Sequence, residues 1–225
     1  MIRVAITTDR FEEAAPPFRR LGLEPVWLPC IRLERADDTV LARAREAASS
    51  AELLLISSPR TLNLLWPDGS MPAVDVAAVG ERTAAAVEAR GGRVILSGGS
   101  GLADLVAQTE DRLASSRVVF PHAAGADPTV LEAIREQATN LYEFEIYRTV
   151  AVAPESTPVE VAVFGSPSAV DGWLLSRDFD RLVVGVIGPT TWDAVARHRL
   201  PEVVATQPTF EALAHSLSSY LEVEV

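Results

Sequence analysis

Val79-Gly80-Glu81-Arg82-Thr83 decides the fold, because this stretch returns 108 residues later as Ile187-Gly188-Pro189-Thr190-Thr191. The same offset carries Ser58-Pro59 onto Ser166-Pro167, and each of these pairs follows a short apolar run. Repeats that stack into solenoids have periods of about 20 to 50 residues. The period found here has the length of a small domain, so the sequence predicts an internal duplication.

Apolar runs typical of buried strands alternate with amphipathic helical stretches along the chain. The predicted strands are residues 2–7, 24–33, 52–56, 74–79, 92–96, 117–120, 141–152, 160–164, 182–187 and 201–205. Strands that alternate with helices form βαβ units, which predicts an α/β fold with parallel sheets. The segments 24–33 and 141–152 are longer than a typical parallel strand and occupy matching places in the two halves. We therefore expect them to connect two domains.

Proline marks the predicted start of several helices, because its missing N–H costs nothing at the first helical position. The dipeptides with this signal are Ser58-Pro59, Ser166-Pro167, Gly188-Pro189 and Gln207-Pro208, and Asp9 with Glu12 has the spacing of a capping box. These starts follow strand ends, so they should line the carboxyl edge of each sheet. That edge is where open α/β sheets bind ligands and where helix N–H groups attract anions. A duplicated unit also predicts a binding cleft between two similar walls.

Composition excludes several classes of function. The chain has 225 residues and a net charge of −11, which argues against binding nucleic acid or an anionic membrane. No apolar run is long enough to span a membrane, and the N-terminus is typical of a strand rather than a signal peptide. We therefore expect a cytoplasmic protein.

The side chains that hold cofactors are scarce. Cys30 is the single cysteine, which excludes an internal disulfide and a cysteine-based zinc site. All twenty basic residues are arginine, which excludes a lysine Schiff base to pyridoxal phosphate. His122, His198 and His215 fit no metal-binding pattern. No metal is expected.

Five segments, in order along nearly the whole chain, resemble the uroporphyrinogen-III synthase family. They are Ser57-Ser58-Pro59 and residues 76–84, 146–150, 164–170 and 187–191, and Leu28-Pro29-Cys30-Ile31 resembles the segment where the first domain of that family crosses to the second. The resemblance implies two Rossmann-like domains joined by a two-stranded β-ladder. It places residues 1–33 with 152–225 in a discontinuous first domain, 37–146 in the second, and the linker strands at about 29–36 and 146–152.

The resemblance also implies a reaction. Members of the family cyclise the linear tetrapyrrole hydroxymethylbilane to uroporphyrinogen III, with loss of water and inversion of ring D, and they use no cofactor or metal. This chemistry is that of a lyase in tetrapyrrole biosynthesis. The implied partners are a polycarboxylate tetrapyrrole substrate and hydroxymethylbilane synthase, which would hand that substrate over, and the expected state is a monomer.

Tyr147 is the candidate catalytic residue, because the resemblance places its phenol near the cleft. It could protonate or hydrogen-bond the departing hydroxyl, and we interpret it first as a residue that binds or positions the substrate. A tyrosine whose ring is packed in a strand and whose hydroxyl reaches the rim is the structural alternative.

The candidate substrate-binding residues fall into three groups. Hydroxyls at equivalent positions of the repeat could hold the acetate and propionate groups of the substrate, glycines could admit close approach of the backbone, and arginines beside strand ends could supply positive charge. These residues are Thr8, Ser58, Thr83, Ser166, Thr190 and Thr191; Gly80 and Gly188; and Arg10 and Arg148. Helix capping, turn geometry and surface ion pairing explain the same residues without a ligand.

Two further observations bear on these expectations. Asp9, His122 and Gly165 depart from the pattern of the family, which leaves open a catalytically inactive, synthase-like protein that binds a small molecule between two domains. The tryptophans, Trp27, Trp66, Trp173 and Trp192, are expected in the core or at its rim, and Trp192 could face a pyrrole.

Overall fold

The computed structural model describes residues 1–99 and 101–222, and it divides into two compact units. Unit 1 combines Met1–Leu33 with the segment that begins at Thr149, and unit 2 is the continuous segment Glu34–Arg148. Residues 223–225, the end of the predicted first domain, lie outside the described residues. Among the described residues, no helix is both long and apolar enough to cross a membrane.

Strands and helices alternate through both units. The strands are β1 Arg3–Ile6, β2 Glu24–Trp27, β3 Ile31–Arg35, β4 Leu53–Ile56, β5 Asp75–Val79, β6 Arg93–Gly98, β7 Arg117–Ala123, β8 Asn140–Ala151, β9 Val161–Phe164, β10 Val183–Val186 and β11 Val203–Val204. The helices are α1 Phe11–Ala14, α2 Pro16–Arg20, α3 Asp38–Ser49, α4 Pro59–Leu65, α5 Glu81–Glu88, α6 Leu102–Gln108, α7 Glu110–Ser115, α8 Pro128–Gln137, α9 Pro167–Leu174, α10 Pro189–Ala196 and α11 Phe210–Tyr220.

The sheet of unit 1 has the strand order β11-β10-β9-β1-β2, and its neighbouring strands run parallel. Its central strands are fully buried on both faces, which explains why they read as continuous apolar runs. Ala5 packs on one face with Phe164 and Trp173, whereas Val4 and Ile6 pack on the other with Phe18. The prediction of an α/β fold with parallel sheets is confirmed.

The sheet of unit 2 has the order β3-β8-β7-β4-β5-β6. Its last five strands, β8-β7-β4-β5-β6, correspond one by one to β2-β1-β9-β10-β11 of unit 1. The duplication predicted from the offset extends to the helices, because α6 begins at Leu102 and α11 begins at Phe210. β3 and β8 are neighbours, and the chain passes from one unit to the other within these two strands.

The predicted strand over residues 24–33 is two strands, β2 and β3, which belong to different sheets. Pro29 lies at the break because it has no N–H to donate to a ladder. On either side of it, Leu28 N–H donates to the Ile6 carbonyl at 3.1 Å and Cys30 N–H donates to the Thr7 carbonyl at 2.9 Å. The second long segment, β8, is continuous.

Two predicted helix starts are corrected. α11 begins after Thr209, whose Oγ1 accepts a hydrogen bond from Ala212 N–H at 3.1 Å, so Pro208 lies before the cap. Asp9 does not cap α1, because the helix begins one residue later and Asp9 Oδ1 accepts instead from Thr8 Oγ1 at 3.2 Å. Short polar side chains beside each other compete for one cap, and sequence alone does not rank them.

α9 lies directly against the backbone of residue 30. Cys30 O accepts a hydrogen bond from Val152 N–H at 2.9 Å, and a Cβ placed on Gly172 would lie 1.9 Å from that oxygen. Burial raises the pKa of the Cys30 thiol to about 12, so the thiol stays protonated. Gly172 is therefore required by close approach rather than by its backbone angles.

A polar cluster that reaches from the buried His122 to the exposed Arg135 joins β7, β8 and α8 shortly before Tyr147. His122 is fully buried, its Nε2 lies 3.0 Å from Glu143 Oε1, and its Nδ1 lies 2.9 Å from the Ala123 carbonyl. Arg135 donates to both oxygens of Glu143, at 2.9 and 2.7 Å. The hydrogen bonds from Arg135 are the main reason why the pKa of Glu143 lies below its usual range, and the contact with His122 lowers it further.

We expect Gly172→Ala to destabilise the protein by at least about 3 kcal/mol, because the new methyl group would overlap Cys30 O. Helix propensity alone predicts the opposite sign, a gain of about 1 kcal/mol. The measurement is the free energy of urea unfolding followed by circular dichroism. Gly99→Ala is the matched control, since a Cβ there meets no atom within 4 Å, and equal stability of the two variants would refute the close packing.

Glu143→Gln should lower the free energy of unfolding by about 1 kcal/mol at pH 7, because Arg135 and His122 lose their contacts with the carboxylate charge of Glu143. A folded-state pKa below the unfolded value means that this stability is present above the unfolded pKa. This stability is lost as the pH falls through the folded-state pKa of Glu143. The difference in free energy of unfolding between wild type and variant should therefore become smaller in acid.

Urea unfolding at pH 7 and at successively lower pH measures this gap. Glu132→Gln is the control, since Glu132 meets Arg135 only as an exposed pair at 3.5 Å, and its effect should stay below about 0.5 kcal/mol. A gap that is independent of pH would show that the carboxylate charge of Glu143 does not stabilise the fold.

Candidate active site at the carboxyl edges of the sheets

Three neighbouring strands of unit 1 end in candidate residues. Ile6 pairs with Val163, and Phe164 pairs with Val186. Continued two residues further, this register brings Thr8 to the level of Gly165 and Ser166 to the level of Gly188. Adjacent strands lie about 4.8 Å apart, so these residues form one row along the carboxyl edge.

Ser166 is the N-cap of α9 and keeps an extended backbone, with φ −163° and ψ 156°. Its Oγ accepts a hydrogen bond from Ala169 N–H at 3.3 Å and lies 3.2 Å from Ser168 Oγ. A hydroxyl that accepts a capping bond still has its own proton to donate. Ser166 can therefore cap the helix and bind a carboxylate at once.

Gly188 is the N-cap residue of α10 and has no side chain that could accept a capping hydrogen bond. Its φ of 178° is extended backbone open to any residue, and a Cβ there would meet no atom within 4 Å. Pro189 has no N–H, so the first-turn donors of α10 are the N–H groups of Thr190 and Thr191. Thr190 is exposed and Thr191 is buried, so the Thr190 side chain is the one open to a ligand.

Thr8 and Arg10 extend this row on the side of β1. Thr8 is buried, and its Oγ1 accepts a long hydrogen bond of 3.4 Å from Arg10 N–H. The Arg10 guanidinium meets Glu13 at 3.2 Å in a solvent-exposed pair. Such pairs contribute little to stability, so Arg10 can exchange Glu13 for a carboxylate of a ligand at small cost.

Unit 2 presents the equivalent edge. Ser58 caps α4, because its Oγ accepts a hydrogen bond from Arg60 N–H at 3.3 Å. Gly80 is the N-cap residue of α5 and provides no side-chain cap. Gly80 has a φ of +75°, which favours glycine, and donates its N–H to the Gly98 carbonyl at 2.7 Å. Thr83 is buried, and its N–H donates to the Gly80 carbonyl at 3.1 Å. The equivalent glycines of the repeat thus differ, because only Gly80 is required by its backbone angles.

Tyr147 and Arg148 line a cavity of about 270 Å³ within unit 2. Tyr147 is mostly buried, and its carbonyl accepts from Ala124 N–H at 2.7 Å. Arg148 is paired with Glu34, with Nε 2.8 Å from Oε2. The cavity also has Asp37 and Glu145 in its lining, so its charge is acidic on balance. Arg148 is exposed and its charge is paired, as that of Arg10 is, so its contact with substrate stays a prediction.

The strand register gives the position of Tyr147 relative to Ser58 in the sheet of unit 2. Tyr147 pairs with Ala123, and the pairing of Leu53 with Val118 sets Ser58 at the level of Ala123. Tyr147 therefore lies at the level of Ser58 and two strands away, about 10 Å across the sheet. The structure brings Ser58, Gly80 and Tyr147 to one edge of unit 2, and Thr8, Ser166, Gly188 and Thr190 to one edge of unit 1.

Packing explains two departures from the pattern of the family. A Cβ on Gly165 would lie 2.8 Å from Phe210 Cζ, so the Phe210 ring fills the space of a side chain. His122 is buried in the cluster with Glu143 and does not face a ligand. Across residues 1–99 and 101–222, no group of three or more histidine, cysteine, aspartate or glutamate residues could hold a metal ion.

One exposed aromatic residue at the edge of unit 1 differs from its sequence prediction. Trp173 is fully buried, Trp66 is buried and Trp192 is half-buried, as residues of the core or its rim should be. Trp27, at the end of β2, is 53% exposed, and its Nε1 donates to the Thr8 carbonyl at 3.1 Å. The sequence could have indicated that Trp27 ends a strand, but not that this strand lies at the edge of its sheet and leaves the side chain exposed.

The fold is shared with known enzymes. A uroporphyrinogen-III synthetase from Helicobacter pylori matches with a TM-score of 0.68 at 16% identity, over 98% of this chain and 100% of that chain. A mutant uroporphyrinogen III synthase from the extremely thermophilic bacterium Thermus thermophilus matches with a TM-score of 0.61 at 16% identity, over the whole of both chains. No curated protein matches the sequence significantly.

The sequence itself also matches a family model. The model describes uroporphyrinogen-III synthase HemD and matches residues 12–215. This range includes unit 2, most of unit 1 and every candidate residue except Thr8 and Arg10. The structural likeness, at 16% identity, concerns the fold, whereas the family model covers most of the sequence. The chain belongs to the uroporphyrinogen-III synthase family, a family of enzymes in tetrapyrrole synthesis.

Proposed function

We propose that this chain converts hydroxymethylbilane into uroporphyrinogen III as a lyase that needs no cofactor. The observation that carries the proposal is the match of the family model over residues 12–215. Nothing in that match favours a catalytically inactive binding protein. Hand-over of the substrate by hydroxymethylbilane synthase, a monomeric state and a cytoplasmic location belong to the same proposal.

The carboxyl edges would bind the acidic substrate. Its acetate and propionate groups would accept hydrogen bonds from the uncapped N–H groups at the start of α5 and α10, where the helix dipole favours an anion. Hydroxyls of Ser58, Ser166 and Thr190 would add further donors, and Arg10 would supply charge. Many weak contacts of this kind fix an orientation, which is the main requirement for a reaction whose substrate also cyclises unaided.

Tyr147 and the acidic cavity would act at the reacting end of the substrate. Loss of the terminal hydroxyl as water takes up one proton from solvent and leaves a cationic azafulvenium carbon, and the proton is released again when ring D regains its aromaticity after reclosure. The phenol of Tyr147 would hold the departing hydroxyl, and Asp37 and Glu145 would stabilise the positive charge. Ring D then attacks through its substituted carbon to give a spiro intermediate, which fragments and recloses with that ring inverted.

Analysis of the product isomers tests the proposed function. Purified protein is given freshly generated hydroxymethylbilane without added metal or cofactor, and the uroporphyrinogen isomers are separated after oxidation to porphyrins. We expect predominantly isomer III, formed faster than the spontaneous product. A no-protein control gives the spontaneous rate, and isomer I alone at that rate would refute the proposal.

We expect Gly188→Ser to stabilise the fold but weaken substrate binding. A serine in this extended conformation would cap α10 as Ser166 caps α9, a gain of about 0.5 kcal/mol. The same hydroxyl would occupy an N–H group proposed for a substrate carboxylate, so KM should rise about tenfold. Urea unfolding and initial rates measure the two effects.

Gly80→Ser is the matched control at the equivalent position of the repeat. Its φ of +75° penalises any side chain, so this variant should lose about 2 kcal/mol of stability. If Gly188→Ser gains stability and leaves KM unchanged, the first turn of α10 does not bind the substrate.

A further inference from the structure

Trp27 combines exposure with a fixed position. Its indole is 53% exposed, although tryptophan is among the side chains that gain most from burial. The hydrogen bond from Nε1 to the Thr8 carbonyl fixes one edge of the ring at the carboxyl edge of unit 1. The Phe11 ring supports it at 6.0 Å between centroids, and Arg19 lies 5.3 Å from the centre of Phe11.

Comparison of the two units shows that this exposure is specific to unit 1. Leu53 and Val161 are related by the offset of 108 and pair with Val118 and Val4, so Val4 and Val118 are equivalent in the two sheets. Val4 pairs with Pro25 in unit 1, and Val118 pairs with Leu141 in unit 2. Two residues further along these strands, Trp27 therefore corresponds to Glu143, and Thr8 corresponds to His122 by the same register. Unit 2 closes this position with the cluster of Glu143, His122 and Arg135. Unit 1 has a partly exposed indole at the matching place.

The surroundings of Trp27 fit a flat, electron-rich ring. The Nε1–H group is already bonded to Thr8, so the rest of the exposed indole is apolar carbon of the aromatic ring. Such a ring binds another aromatic ring by offset stacking. A pyrrole that stacks there would lie at the same edge as Ser166, whose hydroxyl suits the carboxylates that a pyrrole of the substrate carries.

We infer that Trp27 is a substrate-binding residue that stacks against one pyrrole ring of the linear tetrapyrrole. This inference rests on the proposed function for the identity of the ligand, but not for the presence of an aromatic binding face. Trp27 positions the ring and takes no part in proton transfer. It therefore affects binding more than the chemical step.

Kinetics of Trp27→Ala and Trp27→Phe test the stacking. We expect Trp27→Ala to raise KM for hydroxymethylbilane about tenfold and to change kcat by less than about twofold. Trp27→Phe keeps a π-face and should restore KM to within about threefold of the wild type. Tyr220→Ala is the control, because Tyr220 is 51% exposed in the same unit but lies at the C-terminal end of α11.

Fluorescence provides a readout that does not depend on turnover. Acrylamide quenches exposed tryptophans, and uroporphyrinogen III, added without oxygen, should protect the wild type from quenching. The Trp27→Phe variant should lose most of this protection, because Trp66 and Trp173 are buried and Trp192 is half-buried. Equal quenching of the wild type with and without uroporphyrinogen III would overturn the inference.

The two proposals fail in different ways. Formation of isomer III by the wild type, with KM unchanged in Trp27→Ala, would overturn the role of Trp27 and leave the synthase reaction standing. Formation of isomer I alone would refute the reaction, and protection of Trp27 by uroporphyrinogen III would then still support the aromatic binding face. Loss of kcat rather than KM in Trp27→Ala would also overturn the inference.

Discussion

The backbone of Cys30 fixes the path of the chain through unit 1. Its N–H donates to the Thr7 carbonyl at the end of β1, and its carbonyl accepts from Val152 N–H, just past the end of β8. α9 lies over the same carbonyl because Gly172 has no side chain. Thr8 and Arg10 follow Thr7 directly, so the hydrogen bonds of one residue also set the position of the edge on which the candidate residues lie.

Much of this fold could be predicted because its determinants are local. Buried parallel strands require apolar runs, and proline at a first helical position marks a start, as at Pro59, Pro167 and Pro189. The break at Pro29 could not be predicted from the sequence. A proline interrupts a β-ladder only where a neighbouring strand would have accepted its missing N–H, and the sequence does not show where that strand ends. The choice of Thr209 over Pro208 at α11 likewise depends on which backbone N–H groups the fold leaves without a partner.

The candidate site was predictable in its chemistry but not in its accessibility. The offset identified the serine caps and the uncapped glycines, since a duplicated chain repeats its turns. It could not separate exposed Thr190 from buried Thr191, nor show that Glu34 already neutralises Arg148. Nor could it show that equivalent positions hold a partly exposed indole in one unit and a carboxylate bonded to histidine and arginine in the other. These properties depend on neighbours that are distant in sequence.

The discontinuity of unit 1 has a consequence for the way the protein is made. Unit 2 is a continuous segment and can form its sheet before synthesis is complete. β1 lies between β2 and β9 in its sheet, and its contacts with β9 join Val4 to Val161. Until residues 161–164 leave the ribosome, β1 has one unpaired edge and apolar faces without cover, the condition in which nascent chains associate wrongly. Because its last strands are made late, unit 1 stays open to wrong association for longer than unit 2 during synthesis.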